Sequence, residues 1–196
     1  VAADPRPGTC KLVLKAGERL VLQFRFQGVH VAPTDTAFSS ITYDTNADDC
    51  PVFVGAALAF TAVSPATDTF AASEIVLETF EIDLNNTLYL RPSANGSMGY
   101  LSCQIVGGMP TISLDPEWVP TTTWNAIERV RDSALFSMTT GPLSGIAALN
   151  NIQIDAPRVE FMSVTREARG GIATKKLEGV CRGNAGNDEL SFTLSA

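Results

Sequence analysis

A mainly β fold with one α-helix is what this sequence predicts, on three observations. Apolar and polar residues alternate with period two along most of the chain. Gly, Pro, Asn and Asp interrupt that alternation at short intervals. One segment alone carries apolar residues at three- and four-residue spacing. With 196 residues and 45% hydrophobic content, the chain suits one large domain or two small ones around a buried core.

The first element is a hairpin, assigned to residues 1–28. In KLVLKAGERLVLQFRFQG the turn Lys15-Ala16-Gly17-Glu18 separates two runs. Leu20, Leu22, Phe24 and Phe26 then alternate with Val21, Gln23, Arg25 and Gln27, which reads as one apolar and one wet face. Residues 29–70 change character. VAPTDTAFSSITYDTNADDC is rich in Thr, Asp, Ser and Ala, with strand-like patches only at PVFVG and ALAFTAV. The segment is expected to be a polar arm or linker, since structureless stretches of that length are uncommon inside a compact domain.

Residues 71–196 form the main β domain. Phe80, Ile82 and Leu84 alternate with Glu81 and Asp83, and Asn85-Asn86 is expected to turn the chain into a hairpin with TLYLRP. SMGYLSCQIVGG offers Leu101, Cys103 and Ile105 to one face, and Pro116 ends the strand TISLDPE. The helix is expected near 122–134. Thr121 to Thr123 supply capping hydroxyls there, Trp124, Ile127, Val130 and Ala134 face inward, and Glu128, Arg129 and Asp132 face out. ALFSMTTG, NNIQIDAP, RVEFMSV, GIATKKLEGVCR and LSFTL complete a count of roughly ten strands. In the last, Leu190, Phe192 and Leu194 are expected to face the core and Ser191, Thr193 and Ser195 the solvent. CKLVLKAGERLVLQFRFQG and RVEFMSVTREARGGIATKKLEGVCRG share a strand, Gly-containing turn and strand, the pattern of a duplicated β unit.

Charge and composition exclude several functions. Fourteen basic against 21 acidic residues give a net charge of −7, and the densest basic pair is Lys175-Lys176. That argues against a grip on nucleic acid, whose affinity comes from lysine and arginine stripes releasing counterions. No apolar run approaches the eighteen residues that span a bilayer, and VAADPRPGTC has neither the basic start nor the apolar stretch of a signal peptide. Cys10, Cys50, Cys103 and Cys181 lie far apart without CxxC or Cys/His pairing. They read as reduced, packed thiols rather than zinc ligands or disulfides.

No catalytic constellation is legible, so no catalytic, cofactor or metal residue is assigned and the chain is read as a non-enzyme. His30, the only histidine, has no carboxylate placed behind it, and Ser144 in PLSGI lacks the glycine of a nucleophile elbow. Asp44 to Asp49 begins like a calcium loop but has Asp49 where the sixth-position Gly belongs and Gly55 where the twelfth-position Glu belongs. Asn85-Asn86-Thr87 and Asn95-Gly96-Ser97 fit the glycosylation sequon, though turn chemistry accounts for both. Gly107-Gly108 and Gly170-Gly171 are read as hairpin or bulge glycines, and Trp118 and Trp124 as core or interface anchors.

Taken in order, FEIDLN (Phe80 to Asn85), PTISLDPE (Pro110 to Glu117), APRV (Ala156 to Val159), GIAT (Gly171 to Thr174) and GNDELSF (Gly186 to Phe192) resemble the phage tail tube (major tail protein) family. KLVLKAGERLVLQFRFQG resembles the hairpin before that family's central linker, so the chain corresponds to the family's C-terminal two-thirds. Two stretches depart from the pattern. TREARGG stands where an Asp-Gly turn is usual, and QIVGG where a more polar stretch is usual. The resemblance implies a β-sandwich or barrel-like tail tube fold and a structural virion protein without cofactor. Its subunits would self-assemble into hexameric or trimeric rings that stack into a conduit for DNA ejection. The implied partners are further copies of itself and other tail proteins, with DNA only as passing cargo and no membrane. The implied location is the virion tail, assembled in the cytoplasm of a bacterial host. An acidic chain would repel phosphate at such a wall. A second reading is a secreted β-sandwich adhesion or carbohydrate-binding module, compatible with the cysteines, sequons and Trp pair. A hydrolase would have to rest on His30.

Overall fold

The alternation at the start of the chain does make a hairpin. In the computed structural model, which describes residues 6–29, 51–63, 68–96, 99–141, 143–144, 151–186 and 188–195, β1 (Arg6–Lys15) pairs antiparallel with β2 (Val21–Gln27). Gly17 takes the positive φ of the turn at +76°, and the Glu18 N–H donates to the Lys15 carbonyl at 2.9 Å. The remaining described elements are β3 (Ala59–Val63), β4 (Thr79–Asp83), β5 (Asn86–Pro92), β6 (Tyr100–Gly108), β7 (Thr111–Leu114), α1 (Ala126–Arg131), β8 (Leu135–Thr139), β9 (Leu143–Ser144), β10 (Asn151–Arg169), β11 (Ile172–Arg182) and β12 (Ser191–Ser195). The fold is mainly β with a single short helix, and all pairing among the strands is antiparallel.

The main sheet runs β2-β1-β4-β7-β11-β10-β8-β3, with β9 and β12 also paired to β10. Register sets the core. Leu12 lies opposite Ile82, Ile82 opposite Ile112, Ile112 opposite Gly179, and Gly179 opposite Phe161. Directly opposed residues of neighbouring strands share a face, and the burial of Leu12, Ile82, Ile112 and Phe161 shows that this face points inward. A Cβ at Gly179 would sit 2.9 Å from the Glu160 carbonyl oxygen and 3.3 Å from the Phe161 ring, so only glycine leaves room for that ring. Phe161 meets Phe60, Trp124 and Phe136 at centroid distances of 5.2, 5.8 and 5.8 Å, and Trp124 stacks on Phe70 at 4.4 Å.

Several expectations are corrected. The polar arm expected over 29–70 does not extend through its second half. Phe53, Leu58, Phe60 and Phe70 are core residues, and β3 pairs with β8. The apolar patches PVFVG and ALAFTAV outweigh the polar composition around them. Residues 30–50, including His30 and Asp44 to Asp49, lie outside the described residues. Asn85 does not turn β4 back on itself: β4 pairs with β1 and β7, and β5 pairs with β6 in a separate two-stranded sheet. Asn85 is left-handed at φ +47° and its amide donates to Thr111 Oγ1 at 2.8 Å, which steers the chain out of the main sheet. Of Leu101, Cys103 and Ile105, Cys103 alone is buried.

The helix is shorter than the sequence spacing implies. Thr121 to Thr123 form a turn in which Thr123 and Trp124 both donate to the Pro120 carbonyl, and Asn125 is the N-cap, its side chain accepting from Glu128 N–H. Ser133, at φ +49°, donates to Val130 and Ala134 donates to Arg129, a Schellman stop. Trp124, Ala126 and Ala134 are buried and Ile127 is exposed. NNIQIDAP and RVEFMSV are one strand, β10, rather than two, because Pro157 falls at the register shift between Ala156 and Val159. Gly170 and Gly171 are both left-handed in the β10–β11 turn.

Candidate assembly surface

The C-terminal strand continues the line of β11. Arg182 is opposite Arg158, and after the loop that precedes it, β12 pairs Ser191 with Asp155 and Ser195 with Asn151. Within the loop, Asp188 accepts from the backbone N–H groups of Asn184 and Ala185 at 2.7 and 3.1 Å, which hold its carboxyl below the usual range. Leu190 packs against the core, as expected. Phe192 and Leu194 are less covered: they are 42% and 74% exposed and, among the described residues, line an open groove rather than a closed core.

The apolar side of the β1–β2 hairpin is likewise partly exposed. Leu22, Phe24 and Phe26 lie on the core side of β2, opposite Leu12, Cys10 and Pro7, yet they are 50%, 51% and 60% exposed. Phe24 and Phe26 stack at 5.8 Å between centroids. Between β2 and β12 opens a groove of about 240 Å³ lined by Leu12, Leu22, Leu84, Ile152, Phe192 and Leu194 among others. Among the described residues nothing pairs with the outer edge of β2 from Val21 to Gln27. Natural edges are blunted by lysines, prolines or bulges. VLQFRFQ carries one charge, Arg25, and no proline. The β5–β6 ribbon also exposes apolar side chains, Leu101 and Ile105 on one face and Tyr89, opposite Gln104, on the other.

Elsewhere the charged groups are largely structural. Arg169, at the end of β10, reaches Glu78 at 3.4 Å, Asp115 at 2.8 Å and Glu117 at 3.6 Å. Asp115 also accepts from the N–H groups of Glu78 and Thr79, so this cluster ties the β10–β11 hairpin to the start of β4. Arg129 pairs with Asp68 and anchors α1 to the chain before Phe70. Ser144 lies on the two-residue β9. Asn95 is exposed near the β5–β6 connection. Gly107 and Gly108 end β6. Among the described residues no group of three His, Cys, Asp or Glu is arranged to hold a metal ion, and no helix is long and apolar enough to cross a membrane. Cys10, Cys103 and Cys181 are free thiols, and Cys181, buried at 1% exposure, has its pKa pushed up to about 12 by desolvation.

Of the two tryptophans, Trp124 is in the core and Trp118 is half-buried beneath two cations, Lys175 Nζ at 4.1 Å and Arg166 Cζ at 4.9 Å from the ring centroid. The sequence reading missed this grouping. Its signal was the Gly170-Gly171 turn, which sets Arg169 opposite Ile172 and therefore Arg166 opposite Lys175. No protein-family model matches the chain, and no curated protein matches it.

Proposed function

We propose that this chain is a structural virion protein, a tail tube subunit. It joins copies of itself edge to edge into rings that stack as the conduit for phage DNA. The observation that carries this reading is that Leu22, Phe24, Phe26, Phe192 and Leu194 are 42% to 74% exposed beside an edge of β2 that no strand among the described residues pairs. A second copy is the occupant that satisfies both features. Its strand pairs with the outward N–H and C=O groups of β2 while its apolar side covers the groove. The β5–β6 ribbon, a sheet of its own with Tyr89 and Ile105 exposed, offers a further contact, so that one can serve the ring and another the stack. A net charge of −7 suits a conduit that must not hold its cargo. Sedimentation velocity at rising concentration tests the reading: conversion to a closed ring species supports it, and a monomer at every concentration contradicts it.

A further inference from the structure

We propose that Arg166, Lys175 and Trp118 form a binding site for an oxyanion, a carboxylate or phosphate group held by the two cations at the indole. The site is distinct from the apolar face described above. Arg166 on β10 and Lys175 on β11 are direct cross-strand partners, and both lie over the ring of Trp118, whose backbone N–H donates to the Ala173 carbonyl at 2.9 Å. Like charges directly opposite in a sheet destabilise it. In a chain with 21 acidic residues, such a pair would be expected to attract a carboxylate of its own. Among the described residues none pairs with either cation, although Arg169 nearby engages three carboxylates and Lys176 engages Glu178 at 2.8 Å.

Burial sharpens the anomaly. Lys175 is 2% exposed, so its ammonium is held largely out of water, and the indole is the one attractive partner it has among the described residues. Desolvation, and next to it the Arg166 charge, lower the Lys175 pKa. Arg166 is exposed, so its planar fork is open to a two-oxygen anion, and it shares the half-buried Trp118 ring with Lys175. An oxyanion placed there offsets the repulsion between the two cations and supplies the negative charge that none of the described residues brings to them.

Trp118 is itself the reporter, since Trp124 is sealed in the core at 1% exposure. The full chain is titrated with sodium phosphate and with sodium acetate, each against sodium chloride of equal ionic strength, while tryptophan emission is followed. The expected result is a saturable change with an oxyanion that chloride does not reproduce. It should be lost in Trp118→Phe and shifted to about tenfold higher concentration in Arg166→Gln. Lys175→Met, which keeps the buried stem, should weaken binding similarly. If the natural ligand is a carboxylate on a second copy, the same emission change follows protein concentration without added anion and is reduced in Arg166→Gln. If it is a free anion, protein concentration has no effect. A response that chloride reproduces, or one that Arg166→Gln leaves unchanged, overturns the proposal.

Discussion

Replacing Phe24 by Gln separates the stability of one subunit from association between subunits. Phe24 is 51% exposed in the single chain, so about half of a ring side chain's roughly 200 Å² is in water before any partner arrives. If a second copy covers it, about 100 Å² of apolar surface leaves water. At about 25 cal/mol per Å² that amounts to about 2.5 kcal/mol per contact. Phe24→Gln should therefore weaken association about 60-fold, over and above the monomer stability lost with the half of the ring that packs within the subunit. Sedimentation equilibrium on wild type and variant reads the association constant, and urea unfolding at low concentration checks that the monomer is intact. The partner of Phe24 in the stacked pair, Phe26, gives a replicate at a neighbouring site. Association constants that agree within twofold would refute the assignment of this face to assembly.

Three further outcomes follow from the interior. Gly179→Ala should destabilise by about 1–3 kcal/mol, because the added methyl meets the Glu160 carbonyl at 2.9 Å. Phe161→Leu should not rescue it, since the closest obstacle is backbone, and urea midpoints at constant slope measure both. The Cys181 thiol should resist a thiol reagent at pH 8 until denaturant is added, because burial holds it protonated up to about 12. Linkage fixes the sign of the matching pH effect. The unfolded thiol ionises near 9, so the stabilisation is complete below that pH and declines as pH rises from 9 toward 12, seen as a falling urea midpoint that Cys181→Ala flattens.

What could be read from the residues was what local spacing determines. The Lys15 to Glu18 turn, the alternation of β4 and the Gly170-Gly171 turn each depend on neighbours in sequence, and each was legible. Pairing between distant strands was not. Nothing local says that Asn85 sends the chain into a second sheet or that Phe60 completes the core from a polar stretch. The helix cap slipped from Thr121–Thr123 to Asn125 because the Pro120 carbonyl captures the preceding N–H groups in a turn. The faces of β2 and β12 illustrate the deeper limit: alternation shows that one side avoids water, and a core and an interface satisfy it equally. Phe24, Phe192 and Leu194 read as core in sequence and stand uncovered in the fold.

Negative-stain electron microscopy of the concentrated wild-type chain tests the proposed tail tube role most directly. Rings and stacks of rings with a central opening are expected, and they should disappear in Phe24→Gln. A field of separate single subunits at every concentration would contradict it.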